Sequence, residues 1–164
     1  MADTENQTGE QAVPQADASA ITFRLQRIYI KDVSFEAPSS PAVFQIPYQP
    51  KVNFNMTTKA ENFQDNLYEA VLTVTTEVND QEDKPMYVIE VQQAGVFEIK
   101  GLDGENLQQA LHMTCPSVLF PYARETVDNL ANKGTFPALH LPPANFEAIY
   151  EQARKSRDAQ EQQS

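Results

Sequence analysis

The two histidines and the single cysteine of this 164-residue chain, His112, His140 and Cys115, are the first places to look for metal binding or nucleophilic chemistry. His112 and Cys115 stand three apart, so one helix face could carry both. Two helical positions are not a ligand set, and the paired spacing of a zinc site is missing. Cys115 lies between Thr114 and Pro116 in an apolar stretch. A nucleophilic cysteine needs a base and polar surroundings, so this setting reads as a buried thiol. The sequence contains no G-x-S-x-G turn, no phosphate-binding glycine loop and no dinucleotide fingerprint. No catalytic residue, metal or cofactor is expected, and a small hydrolase using Cys115 is the weakest functional reading.

Carboxylates are plentiful: 23 Asp and Glu stand against 12 Lys and Arg, a formal charge of -11. That balance argues against a nucleic-acid binder, which needs a basic face, and against a polybasic contact with anionic lipid. Most of the acids fall in turns or alternate outward along strands, as a solvated surface would. One group stands apart. Asp32 and Glu36 share a face of one alternating segment, and Val88 and Glu90 share a face of another. If the two segments are neighbours, a row of carboxylates surrounds a small apolar spot. That row is either a docking site for a basic partner or ordinary surface acidity.

The elements that would position these residues are strands first and helices second. Residues 21–36, ITFRLQRIYIKDVSFE, alternate with period two and are rich in β-branched and aromatic residues. Phe23, Leu25, Tyr29, Val33 and Phe35 fall on one face, with Ile28 and Ile30 interrupting the other. Residues 37–50 contain four prolines together with Val43, Phe44, Ile46 and Tyr48. Such a segment cannot be a helix or a central strand. It is either a stiff binding loop or a cover over the edge of the core. A short second strand is expected around Val52, Phe54 and Met56, a third over 68–78 and a fourth over 86–100. Four strands without intervening helices imply an antiparallel sheet with one buried face. Leu107 to Leu130 then follow a helical stripe, interrupted or kinked at Pro116 and Pro121, with Gly134 as the C′ residue. Asn145 is the expected N-cap of a last helix carrying Phe146, Ile149, Tyr150 and Ala153 on one face. The order ββββαα is an α+β fold. Ile89 and Val91 belong to an apolar stripe larger than one chain of this size is expected to cover, which points to a subunit interface.

The ends differ in composition. Residues 1–20 hold four acids and no base, with Val13 the one sizeable apolar residue after Met1, so a disordered tail is expected. The last residues, 156–164, read the same way, leaving 21–155 as the domain. No apolar run approaches the roughly 20 residues needed to span a bilayer. The first 20 residues lack the charge and apolar block of a secretory signal, and the single cysteine excludes an internal disulfide. A soluble, cytoplasmic protein is expected.

Four blocks carry a specific resemblance: FRLQRIYIKDVSFEAP (23–38), YVIEVQQAGVFEI (87–99), CPSVLFPYARETV (115–127) and KGTFPALHLPPANFEAIY (133–150). In order and spacing they resemble the SecB family of bacterial export chaperones, over residues 21 to about 155. The resemblance implies an ATP-independent holdase that binds unfolded secretory precursors and delivers them to the translocation ATPase SecA. It implies a four-stranded antiparallel sheet with two helices, assembled as a homotetramer, a dimer of dimers. It places Asp32, Glu36, Val88 and Glu90 on the SecA-contacting surface, and Ile89, Val91 and Gln93 toward the subunit interface. It makes the proline loop with Phe44 and Tyr48 the border of the precursor groove, and Phe54, Met56, Phe146, Ile149 and Tyr150 its apolar lining. Two positions depart from the family pattern: Tyr48 stands where Trp is common, and Ala94 where Gly is common. An apolar groove suits the task, since the hydrophobic effect is non-directional and Met and aromatic side chains repack around many sequences. A net negative field would speed capture of basic segments. An acidic interaction adaptor without unfolded clients, and a chaperone tied to a toxin–antitoxin system, are the alternative readings.

Overall fold

A computed structural model describes residues 20–161. The expected tail over 1–20 thus lies, but for Ala20, outside the described residues. The elements run β1 (Thr22–Glu36), a 3-10 turn (Ala42–Gln45), β2 (Lys51–Gln64), β3 (Leu67–Asn79), β4 (Pro85–Lys100), α1 (Gly104–Gln109), a π-turn (Ala110–Thr114), α2 (Cys115–Lys133) and α3 (Phe146–Glu161). The four strands form one antiparallel sheet in the order β1-β4-β3-β2, so the expected α+β architecture is present.

Two strands differ from their sequence reading. β2 is not short: it pairs with β3 from Lys51 opposite Asn79 to Gln64 opposite Leu67. Beyond Met56 its residues are polar but for Ala60 and Phe63, as suits an edge strand, so hydrophobic alternation could not mark it. β1 changes phase twice, with register shifts between Leu25 and Arg27 and between Ile30 and Asp32. Each bulge moves the following residues to the other face. Ile28 and Ile30 thereby join Phe23, Leu25, Val33 and Phe35, and Tyr29 moves to the opposite face, opposite Ala94. The two isoleucines that interrupt the sequence pattern are the mark of these bulges.

The helices cover one face of the sheet. α2 lies on β4 and β3 and buries Leu119, Ala123, Val127 and Ala131. At Gly95 a Cβ would meet the Phe97 ring at 2.8 Å and the Leu119 side chain at 3.0 Å, so glycine permits the close approach of α2. Pro116 lacks an N–H and its ring would strike the carbonyl four residues back. The chain accommodates it with the π-turn immediately before α2. α2 ends in a Schellman motif, but the left-handed residue is Thr135 (φ 64), not Gly134. Phe136 N–H donates to Ala131 O at 2.9 Å and Thr135 N–H to Asn132 O at 3.0 Å. Gly134 serves another purpose: a Cβ there would run into the Phe35 ring. Asn145 does cap α3, its Oδ1 accepting from Ala148 N–H at 3.0 Å. α3 continues through Glu161, past the expected domain end at 155. Charged, apolar-poor sequence marked that end as a tail, but it also suits a solvated helix.

One buried group is unsatisfied. Among the described residues, Thr76 Oγ1 is the buried side-chain polar atom without a hydrogen-bond partner. Thr76 sits between Ile89 and Phe54 on the helix-covered side of the sheet. Thr76→Val replaces the orphaned hydroxyl with a methyl of similar size and is expected to stabilise the fold by about 1 kcal/mol. A calorimetric scan should show a midpoint raised by about 2–4 °C. A lowered midpoint would mean the hydroxyl is engaged.

Candidate functional site

The open face of the sheet gathers the singled-out acids. Because β1 pairs directly with β4, Glu36 stands opposite Val88, Ser34 opposite Glu90 and Asp32 opposite Gln92. Asp32 and Glu36 are exposed, and Val88 and Glu90 are partly exposed. The Thr75 hydroxyl donates to Glu90 Oε2 at 3.3 Å. The row extends to β3, where exposed Glu77 lies opposite Val88 on the far side from Glu36. Glu77 alternates outward in the sequence like many acids, and only the register brings it to this cluster. Further along the same face Glu69 accepts from the Tyr29 hydroxyl and from Lys31 Nζ, the latter at 2.6 Å. Burial raises the Glu69 pKa, but these two donors outweigh it and hold the carboxyl below its usual range. Burial, then Glu69, pushes the Tyr29 phenol up to about 12.

The proline loop lies at the opposite, helix-covered face. Val43 is buried beneath it, and the Ser39 hydroxyl donates to Pro85 O at 2.6 Å, pinning the loop to the start of β4. Five rings meet there: Phe136 stacks on Tyr87 at 4.3 Å between centroids, with Phe44 at 5.5 Å and Tyr48 at 6.3 Å, and Phe35 lies 5.9 Å from Tyr87. The loop is a cover that also leaves aromatic surface open. Val43 covers the core edge, while Phe44 remains 48 % and Tyr48 37 % exposed. Phe136, unnoticed as a site residue, is their platform; the G-T-F-P block carries it because Gly134 leaves room for the ring of Phe35.

A cleft of about 390 Å³ runs between β2 and α3, lined by Phe54, Met56, Ile149 and Ala153 among others. Phe54 is exposed, and Met56 and Ile149 are partly so. Two residues expected beside them are nearly buried. Phe146 is only 4 % exposed and packs edge-on against Phe120 at 6.0 Å. Tyr150 is 6 % exposed, with its hydroxyl donating to Glu105 Oε1 at 3.2 Å. Helical periodicity puts them on the apolar face of α3, much of which docks the helix, while Tyr150 still borders the cavity it shares with Met56 and Ile149.

The expected interface residues lie inside the chain. Ile89 and Val91 are fully buried within one chain, and Gln93 is nearly so, its Nε2 donating to Tyr29 O at 2.9 Å. α2 already covers this stripe, so it has no surface left to give a second subunit. The uncovered apolar surface is instead on β1, where Ile21, Phe23, Leu25, Ile30 and Val33 are exposed along an unpaired strand edge. Of the chemistry-bearing residues, Cys115 is fully buried in the core, and burial pushes its thiol up to about 12. It is a protonated packing residue, as its sequence setting suggests. His140 lies beside Asp128, whose carboxylate accepts from the backbone N–H groups of Leu139 and His140 at 2.9 and 3.0 Å. Among the described residues no three His, Cys, Asp or Glu side chains converge as metal ligands, and no helix is long and apolar enough to cross a membrane.

The family model described as SecB, preprotein translocase subunit, matches residues 16–157. This chain belongs to the SecB family. The family is one of chaperones acting in protein export, and its members are not enzymes. The chain is 55 % identical over 139 residues to the protein-export protein SecB of Hahella chejuensis, covering 85 % of this chain and 87 % of that one. It is 49 % identical over 150 residues to that of Marinobacter nauticus, covering 90 % and 89 %. Among solved structures, a SecB-like chaperone from Mycobacterium tuberculosis in complex with a ChAD peptide from an antitoxin superposes with a TM-score of 0.62 at 15 % identity. That match covers 75 % of this chain and 91 % of the other, and shares the SecB fold.

Proposed function

We propose that this SecB-family chain is an ATP-independent cytoplasmic holdase that grips unfolded secretory precursors on one side of its sheet and offers SecA the other. The observation that carries this reading is the division of one sheet into two unlike faces. Exposed apolar side chains, Phe44 and Tyr48 on the loop and Phe54, Met56 and Ile149 along the cleft, accompany the helix-covered face. Asp32, Glu36 and Glu90 surround Val88 on the open face, with Glu77 beside them. An unfolded precursor presents apolar side chains in no fixed order, which an aromatic and Met-lined surface accepts. A basic surface of SecA meets the carboxylates with complementary charge, which speeds encounter. Delivery follows from the separation, since the two partners need not compete for the same side chains. The unpaired edge and apolar face of β1 are the surface by which chains pair toward a dimer of dimers. Export relatives of about half-identical sequence favour a general export role over a toxin–antitoxin one.

Two variants test the division together. Glu90→Lys sets like charge against the partner, at a cost of several kcal/mol. It is expected to abolish SecA binding and leave suppression of precursor aggregation intact. The pair Phe44→Ser and Tyr48→Ser removes exposed aromatic area worth a few kcal/mol, more than tenfold in affinity. It is expected to weaken precursor holding and leave SecA binding intact. Wild-type SecA binding should weaken as salt shortens the Debye length. Unchanged SecA affinity of Glu90→Lys would reduce the acidic row to ordinary surface. Unchanged holding by the double Ser variant would return the loop to a mere cover.

A further inference from the structure

His112 stands where three elements meet, and neither the packing of the core nor the acidic face uses it. It belongs to the π-turn, whose position α3 lies against. Its ring lies nearly parallel to that of Tyr150 on α3, with centroids 5.9 Å apart and planes 11° apart. Its Nδ1 meets the Thr58 hydroxyl on β2 at 3.0 Å. The same ring lines a cavity of about 310 Å³ with Met56, Thr58, Ile149, Ala153 and Arg157, continuous in its lining residues with the β2–α3 cleft. The start of α3 is held independently, through Phe146 against Phe120. Beyond it, α3 is fastened at Tyr150 and at Arg154, which pairs with Glu105 of α1 at 2.9 Å across an exposed surface.

We propose that His112 is a pH-sensitive latch, holding the outer part of α3 against β2 when neutral and letting the cleft beneath it open on acidification. With the ring neutral and protonated at Nε2, Nδ1 accepts from Thr58 and the imidazole stacks on Tyr150. A second proton turns Nδ1 into a donor, reverses the Thr58 contact and places a cation in a partly desolvated site. The groups that face it do not welcome that charge. α3 presents Tyr150 and the cation of Arg157, and β2 presents Met56, Thr57 and Thr58, all uncharged. The nearby carboxylate, Glu105 on α1, is already taken by the Tyr150 hydroxyl and Arg154. Burial first and then Arg157 hold the His112 pKa below its ordinary value. The sign follows. A base whose pKa is depressed when docked binds fewer protons docked than open, so docking is complete above the free value of about 6.5 and weakens as pH falls below it.

The test uses the full-length chain and reads backbone hydrogen exchange of residues 150–157, expressed as protection relative to the unprotected rate at each pH. Between pH 7.5 and 5.5 wild-type protection there is expected to fall, by up to about tenfold per unit below pH 6.5, while β3 and β4 keep theirs. His112→Phe retains an aromatic ring against Tyr150 but cannot titrate, so its protection should be independent of pH. Wild-type protection that does not change, or a change that persists in His112→Phe, overturns the latch. If that variant fails to fold, the imidazole titration of the wild-type protein decides: a His112 that titrates at or above about 6.5 overturns it. The role of the cleft in holding clients rests on the function proposed above and is separable. Binding of an uncharged apolar peptide should change between the same two pH values in wild type and not in His112→Phe. Peptide binding indifferent to pH while α3 opens would leave the latch standing and remove the cleft from the client site.

Discussion

Val91→Asp is expected to destroy the fold of a single chain, not to split an assembly into smaller ones. Val91 is 0 % exposed, lies between Val33 and Val74 in the register, and faces the helix layer. A carboxylate there has no partner and no water. An unpaired buried charge costs about 3–5 kcal/mol or more, set against a total stability of roughly 5–15 kcal/mol. Urea titration followed by circular dichroism should show the unfolding midpoint lowered severely or a transition lost. The contrasting substitution is Ile30→Asp on β1, where the wild-type side chain is 49 % exposed. It is expected to keep the unfolding midpoint nearly unchanged and to lower the sedimentation coefficient, because it charges the apolar surface proposed to pair chains. A folded Val91→Asp protein of reduced size would restore that residue to the interface and refute the burial argument.

Phe136→Ala is expected to cost about 3–5 kcal/mol, the loss of a buried ring plus the cavity it leaves. Phe136 is buried against Tyr87 and is the platform on which Phe44 and Tyr48 rest. Its removal should act at two levels. The global denaturation midpoint falls, and the loop over 38–50 loses its support and becomes sensitive to limited proteolysis under conditions where wild type resists. The Phe44 and Tyr48 serine variant removes only the exposed half of the cluster, so its midpoint should move much less. A loss below about 1 kcal/mol for Phe136→Ala would show that the aromatic cluster does not anchor the loop.

Local chemistry was enough to read the strand order along the chain, the cap at Asn145, the buried thiol of Cys115 and the outward alternation of Asp32, Glu36 and Glu90. Each depends on a residue and its near neighbours: period two, an Asn before a helical stripe, a cysteine in an apolar run. The four family blocks then identified the chaperone. What failed did so where a choice was made between elements far apart in sequence. Ile89 and Val91 are apolar whether a helix or a second subunit covers them, and the docking of α2 decided for the helix. Phe146 and Tyr150 share the apolar face of α3 with Ile149, and only the way α3 seats on the π-turn separates buried anchors from open lining. The faces of β1 hinge on two bulges, which exist because β4 is its partner. Glu77 joins the acidic row by cross-strand register alone, and His112 meets Thr58 and Tyr150 across separations of 54 and 38 positions. A sequence records how much apolar surface must be covered and how often it recurs, since those follow from side-chain type and backbone period. Which surface covers it is settled by packing, because burial is a property of two partners and each residue carries the chemistry of only one.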